Sequence, residues 1–597
     1  MRGTLTILHL SAFVISSFVM LFQAYTHYLP TLAYYMALLL FVVAIGSAIA
    51  FGRELLAVAG VLSIFLVIRL MFYVATGFLV FPFGDPYGQF GVLRAFDQSS
   101  HASILFPNVP PFDQTQYLAV VTNSYSQWPG FQILTLCFSR VTGLSLLASA
   151  MGITLALDLG WFTVSYLLVR KILARTIVSL PNSAALCLGI VTALPTTEMP
   201  SFFKYDFPAT LFLLASVLLL LRVYDNHDLK VAPLFLILST AVTVTHSITS
   251  LFWVLVLLPF AIWAVAPSLV RNVLSRLPGL LRQLLPQPLS RYNPPLHRLL
   301  AFSFISFLSW SGYYAVFLVK YSAISTGKIL SSFSLGALSF SHLSPGQVGT
   351  VVTPSWILEL LHVRNYLLAG LLLTGGLIVV LFPSMIKRAH VKILILTIAL
   401  ITGVTEASGT LSFGDRAFLL FAPLLGILYL GGVIFIGSRR PRAGVILGAF
   451  LMGVLMFSAG IGFWASSYAP TKLYSQGADP SSASGRPLIW PAVASYLAFS
   501  GTPNCVLTNE IYSTSLSVPV QQWNVTKLIG SATAKPGCIV IVYPGLFSAA
   551  NLNVSQYGFG EPYIPYRGFA PAVFYDHLYN NTDRIFSNGE ATIYYYQ

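Results

Sequence analysis

Residues 51–86 read FGRELLAVAGVLSIFLVIRLMFYVATGFLVFPFGDP, and the order of the polar residues in this stretch decides the fold. Arg53 and Glu54 stand at one edge of an apolar run over about 55–82, and Asp85 stands just past the other. A run of about 20 apolar residues is long enough for a helix to cross a hydrocarbon core about 30 Å thick. The same sorting recurs along the chain. Lys and Arg cluster at alternate span boundaries, and acidic and His residues gather at the others.

Composition agrees. The chain has 597 residues, is 56% hydrophobic and only 8% charged, and has a mean hydropathy of +0.78. Soluble domains carry about 25% charged residues. A closed barrel would show short alternating strands instead of long apolar runs. The formal net charge of +14 lies mostly in short loops between apolar runs, where it sets topology. That distribution excludes a nucleic-acid partner. The first run, 5–25, follows a single Arg2, lacks a small-residue cleavage site and is followed at once by a second span, so it reads as a retained helix.

Thirteen spans are predicted, near 5–25, 31–51, 55–82, 146–169, 182–198, 207–221, 231–247, 250–267, 299–319, 366–384, 393–409, 417–437 and 443–465. The apolar stretch 131–141 is interrupted by Arg140 and reads as a re-entrant or interfacial helix. With the N-terminus inside, the inner loops hold 18 of the 32 basic residues, from Arg2 and Arg53 to Arg439, Arg440 and Arg442, against only Glu54, Asp225 and Asp228. The positive-inside rule therefore puts the N-terminus in the cytoplasm and the C-terminus outside. The basic loop between Arg271 and Arg298 then faces the anionic inner leaflet.

The expected fold is a polytopic α-helical membrane protein with a small external C-terminal α/β domain. Residues 1–465 form the transmembrane domain, with a large external loop at 83–130 and a second at 320–365; 466–597 form the soluble domain. The tail contains strand-like runs at 505–508, 538–543 and 591–596, the last in a hairpin around Asn588-Gly589. Sequons at Asn524, Asn553 and Asn580 suit an external tail. Cys505 and Cys538, also there, are either a disulfide or two thiols at the starts of neighbouring strands.

The outward boundaries carry the candidate chemistry. Asp85 opens the first loop in Gly84-Asp85-Pro86, and the loop closes on Tyr125-SQWPG. The next outer turn supplies Glu198, Lys204 and Asp206; His246 ends the seventh span; Glu406 and the pair Asp415-Arg416 flank a later turn. A carboxylate at a helix end by the membrane surface is partly desolvated and suits a general base. Arg and Lys at that depth suit a lipid-linked phosphate, Arg by bidentate hydrogen bonding and Lys as a point charge. Such a face binds a polyprenyl phosphate with its sugar projecting outward. The scheme requires no metal, and a divalent ion is left open. Asp97, His101 and Asp113 read as loop solvation, while Arg69 and Asp158 lie deep in apolar spans, where a buried structural pair is expected.

In these features the chain resembles the GT-C superfamily of membrane glycosyltransferases. The resemblance rests on Asp85 in Gly84-DPYGQF, on Trp128-Pro129-Gly130 leading into a helix, on Glu198 and Asp206 in the second outer turn, and on many spans followed by an external domain. It implies transfer of a sugar from a polyprenyl (dolichyl) phosphate to an extracytoplasmic protein, lipid or glycan. Asp85 is then the catalytic base, and Arg416, with Lys204 or His246, contacts the donor phosphate; Glu198, Asp206, Glu406 and Asp415 join the binding face. The chain departs from the oligosaccharyltransferase pattern in lacking WWDYG and in separating Glu198 from Asp206 by eight positions. These departures favour a lipid-phosphate monosaccharide donor. The alternatives are a transporter or lipid-linked-glycan flippase, which Arg69 and Asp158 support, and a non-catalytic partner in envelope assembly.

Overall fold

The computed structural model describes residues 2–26, 30–75, 89, 93, 96–97, 128–174, 182–194, 206–226, 229–265, 272, 275–276, 294–314, 355–382, 389–407, 411–463, 505–508, 538–542, 582–587 and 592–596. Asp85, His101, Asp113, Glu198 and Lys204 lie outside them.

The chain divides into two compact units. One comprises Met1–Val74, Leu155–Ser201 and Tyr205–Ser466; the other comprises Ala75–Thr154, Phe202–Lys204 and Ser467–Gln597. In chain order the helices are α1 (Arg2–Thr26), α2 (Leu32–Ala50), α3 (Glu54–Ala75), α4 (Gly130–Thr142), α5 (Leu146–Leu173), α6 (Ser183–Thr192), α7 (Asp206–Asn226), α8 (Ala232–Thr245), α9 (Ser247–Val265), α10 (Pro294–Ser309), α11 (Ser355–Leu381), α12 (Ala389–Ala407), α13 (Leu411–Tyr429), α14 (Gly431–Arg439) and α15 (Pro441–Phe463). Among the described residues, eight helices are long and apolar enough to cross a membrane, and four shorter ones are apolar. This is a multi-pass membrane protein. Val14, Phe18, Ile237, Leu308 and Phe450 project from its helices and are exposed, which suits a lipid-facing surface.

Several boundaries differ from expectation. The predicted spans 231–247 and 250–267 are α8 and α9, joined through a single extended residue, His246 (φ −154°, ψ 130°). At 14 residues α8 is about 21 Å long and falls short of a full crossing. The predicted loop 320–365 ends early, because α11 begins at Ser355; Glu359, His362 and Arg364 interrupt the apolar run without interrupting the helix. Likewise α13 starts at Leu411, so Asp415 and Arg416 belong to its second turn. Predicted span 299–319 is α10 followed by a π-helical turn, Trp310–Tyr314.

Two ends of the helical unit are tied differently. Asp206 and Asp225 sit at opposite ends of α7, about 28 Å apart along its axis. At the Asp225 end, Lys171 Nζ from α5 and His390 Nε2 from α12 lie 3.0 and 3.1 Å from the Asp225 carboxylate. Tyr224 stacks on the His390 ring at 5.5 Å. These contacts place the end of α5, the end of α7 and the start of α12 together, as alternating spans require.

Close helix approach sets the middle of the unit. A Cβ at Gly375 of α11 would fall on the Leu428 carbonyl of α13, whereas at the adjacent Gly376 nothing lies within 4 Å. Gly375→Ala is therefore expected to lower the unfolding midpoint in detergent by several degrees, and Gly376→Ala to leave it nearly unchanged. Equal behaviour of the two variants would refute that tight packing.

In the second unit, the described part of the tail is a four-stranded mixed sheet of order β1-β2-β4-β3, with β1 Cys505–Thr508, β2 Cys538–Val542, β3 Thr582–Ser587 and β4 Thr592–Tyr596. β1 and β2 are parallel, with Cys505 and Cys538 as register partners. β3 and β4 form the antiparallel hairpin expected at Asn588-Gly589, with a bulge between Arg584 and Phe586. The predicted strands are therefore present. The helical part expected of that domain falls outside the described residues.

Candidate functional site

The polar end of the helical unit is built from the chain break at His246. That residue ends α8 and caps α9: its Nδ1 accepts the backbone N–H of Thr249 at 3.3 Å and lies 2.6 Å from the Thr249 hydroxyl. Its carbonyl accepts the first helical bond of α9, from Ser250 N at 3.0 Å. A side-chain acceptor for the third N–H of a helix is an N-cap, and here an imidazole supplies it. Because an amide N–H only donates, Nδ1 carries the lone pair and Nε2 carries the proton.

The Nε2 side of the ring faces Asp206. His246 Nε2 lies 2.8 Å from Asp206 Oδ1, with both residues buried. Asp206 is the first residue of α7, where a carboxylate is stabilised by the helix dipole. The Thr210 hydroxyl bonds back to the Asp206 carbonyl at 2.7 Å and tightens the first turn. Asp206, His246 and Thr249 thus form one line of close polar contacts linking the starts of α7 and α9, with a hydrogen bond from Thr249 to His246 and a 2.8 Å charge contact from His246 to Asp206.

Beneath lies a second pair. Arg69 of α3 and Asp158 of α5 are fully buried, with Arg69 Nη1 3.6 Å from Asp158 Oδ1. The guanidinium lies 4.2 Å from the Phe65 ring centroid and 5.3 Å from that of Phe207, the neighbour of Asp206. Trp161 stacks on Phe65 at 5.6 Å and approaches Phe207 at 6.1 Å. The expected Arg69–Asp158 pair forms, and through Phe207 it supports the residue beside Asp206.

α12 runs from His390, at the Asp225 end, for about 24 Å to Glu406. Glu406 in its last turn, and Asp415 and Arg416 in the second turn of α13, are therefore at the Asp206 end by backbone position. Five expected site residues share that end: Asp206, His246, Glu406, Asp415 and Arg416. The structure joins Asp206 to His246 directly. Sequence reading missed Thr249 and Phe207. The run Thr243-VTHSITS, polar inside an apolar stretch, was the available signal for a break at His246.

Close by along the chain, a cavity of about 590 Å³ opens between α8 and α10, lined by Thr240, Thr243, Val244, Ser306, Ser309 and Trp310. It meets the π-helical turn, a distortion frequent at functional sites. Among the described residues no group of three or more His, Cys, Asp or Glu is placed to hold a metal ion.

No family model and no curated protein matches the chain. Among solved structures it is similar to the archaeal oligosaccharyltransferase AglB from Archaeoglobus fulgidus, in complex with an inhibitory peptide and a dolichol-phosphate. The TM-score is 0.45 at 12% identity, covering 91% of this chain and 74% of that one. It is also similar to ArnT from Cupriavidus metallidurans in the apo state, with a TM-score of 0.41 at 12% identity, covering 90% of this chain and 98% of that one.

Proposed function

We propose that this protein is a membrane glycosyltransferase of the GT-C kind, moving a sugar from a polyprenyl phosphate to an extracytoplasmic protein, lipid or glycan. One observation carries the reading: the Asp206–His246 pair stands at the same end of the helical unit as Glu406, Asp415 and Arg416, opposite the end where Lys171, Asp225 and His390 meet. The positive-inside rule puts the Asp206 end outside and the N-terminus in the cytoplasm.

In this reading the donor phosphate sits at the outer membrane face, where Arg416 and Lys204 neutralise it. Asp85 removes the proton of the acceptor hydroxyl. The acceptor oxygen bonds to the anomeric carbon as the bond from that carbon to the phosphate oxygen breaks, and the polyprenyl phosphate leaves with the electron pair. Cations near the leaving phosphate lower the barrier as charge develops there. Asp206, beside His246, orders the start of α7, the helix that follows Glu198 in the sequence. The α8–α10 cavity, apolar with a row of hydroxyls, takes the first part of the prenyl chain. The rival transporter reading drew on Arg69 and Asp158, and their mutual pairing favours a structural role instead.

The test is transfer in membranes supplied with radiolabelled polyprenyl-phosphate sugars. Wild type is expected to transfer from at least one donor, and Asp85→Asn and Arg416→Ala, at normal expression, to lose nearly all transfer. Normal transfer by Asp85→Asn would remove the proposed base. No transfer from any donor by wild type would sink the transferase reading.

A further inference from the structure

In the second unit, the start of α4 is built unlike an ordinary helix N-terminus. Its N-cap is Pro129 (φ −76°, ψ −3°), which makes no side-chain cap bond. The first helical bond runs from Ile133 N to Pro129 O at 2.9 Å, so the preceding N–H groups have no partner within the helix. Gln132 occupies the third helical position, where a Gln ordinarily bonds back to the N-cap N–H. Proline has none. Gln132 is fully buried, and among the described residues neither its amide nitrogen nor its amide oxygen has a hydrogen-bond partner. Trp128, four residues earlier and 5% exposed, has an indole N–H with no partner among them either. Thr135, buried on the same face, bonds to the Phe131 carbonyl at 2.8 Å and is satisfied. Buried polar groups are rarely left unpaired, since each costs about 1–3 kcal/mol.

Helical side chains lean toward the N-terminus, which aims Gln132 at Trp128 and the first turn. The unmet groups among the described residues are an indole N–H, an amide NH₂ and an amide carbonyl. A phosphate would satisfy the donors but leave the Gln132 carbonyl without one. A polyol hydroxyl both donates and accepts, and satisfies all of them. Charge agrees: the only ionisable residue of α4 with a formal charge, Arg140, lies at its far end and pairs with Asp97.

We infer that the Trp128–Gln132 start of α4 is a binding subsite for a neutral polyol, a sugar ring presenting vicinal hydroxyls. That this sugar belongs to the donor or the acceptor of transfer rests on the transferase reading; the subsite itself does not.

The test uses the full chain in a sugar-free detergent, with methyl glycosides of glucose, mannose, galactose and N-acetylglucosamine, and inorganic phosphate, as separate probes. At about 100 mM at least one glycoside is expected to raise the unfolding midpoint of wild type by about 2 °C, and phosphate not to. Gln132→Leu should abolish that rise while its own midpoint is no lower than wild type, because the unpaired amide is gone. Trp128→Phe, which keeps the ring and loses the N–H, should weaken apparent sugar affinity about tenfold. No rise with any glycoside, an equal rise with phosphate, or a rise retained in Gln132→Leu would overturn the subsite. The transfer assay separates the two readings. Sugar stabilisation without transfer by wild type keeps the subsite and removes the transferase. Transfer by Gln132→Leu with unchanged KM for both substrates does the reverse. A raised KM for one substrate alone supports the subsite and assigns it to that substrate.

Discussion

His246→Ala should cut sugar transfer by about a hundredfold or more, while His246→Gln should keep a substantial fraction of it. The reason is geometric. The imidazole is held at both ring nitrogens, because Nδ1 takes the Thr249 N–H and Nε2 lies 2.8 Å from Asp206 Oδ1. Its contribution is position. Without the ring, a buried carboxylate at the start of α7 loses its charge contact, and α9 loses its cap at Thr249 in the same step. A misplacement near 1 Å is enough to cost about a hundredfold in rate. A Gln amide nitrogen reaches the position of Nε2, so that variant tests the polar contact with Asp206 apart from the aromatic ring. Rates are read in the membrane transfer assay at matched expression, with the unfolding midpoint measured beside them. His246→Ala is expected to lose about 1–3 kcal/mol of stability from the lost α9 cap and the lost charge contact. Wild-type transfer by His246→Ala would show that the pair has no part in the reaction.

The second large effect concerns stability rather than rate. Arg69→Met should destabilise the protein by about 3–5 kcal/mol, the usual result of leaving one member of a buried ion pair alone. The double variant Arg69→Met, Asp158→Leu should recover most of that loss. Asp158 has no hydrogen bond to either carboxylate oxygen, so its ionic partner at 3.6 Å is what offsets its burial. Removing both charges removes the desolvation cost along with the attraction. Thermal unfolding of the singles and the double closes a double-mutant cycle. If the double is as unstable as Arg69→Met, packing on Phe65 and Phe207 outweighs the charge pairing. The transfer assay on the double variant then asks whether Phe207 still holds Asp206 in place. A stable double variant with reduced transfer would show the pair working through that ring.

Hydropathy and charge are local properties of the chain, and what depends on them was legible without a structure. Phe51 to Pro86 already shows a span with a basic start and an acidic exit, and α3 forms there from Glu54. The hairpin closing the tail was readable because Asn588-Gly589 stands between two β-rich runs. Boundaries went astray where polar residues sit inside helices, as at Arg364 and Arg416, because lipid exposure stops before the backbone hydrogen bonds do. Asp206 and His246 were recognisable singly as polar residues at span ends. Nothing local said that they would touch. Their contact depends on α7 and α8 packing as neighbours and on a single extended residue turning the chain into α9. Arg69 and Asp158 were likewise visible as costly charges, but only the packing of α3 against α5 and α7 could choose their partners. By itself the sequence determined that the chain crosses the membrane many times and how it sorts its charges, because burial in lipid is decided residue by residue. Tertiary structure decided which of those charges meet, because a pair across two helices exists only once both have packed.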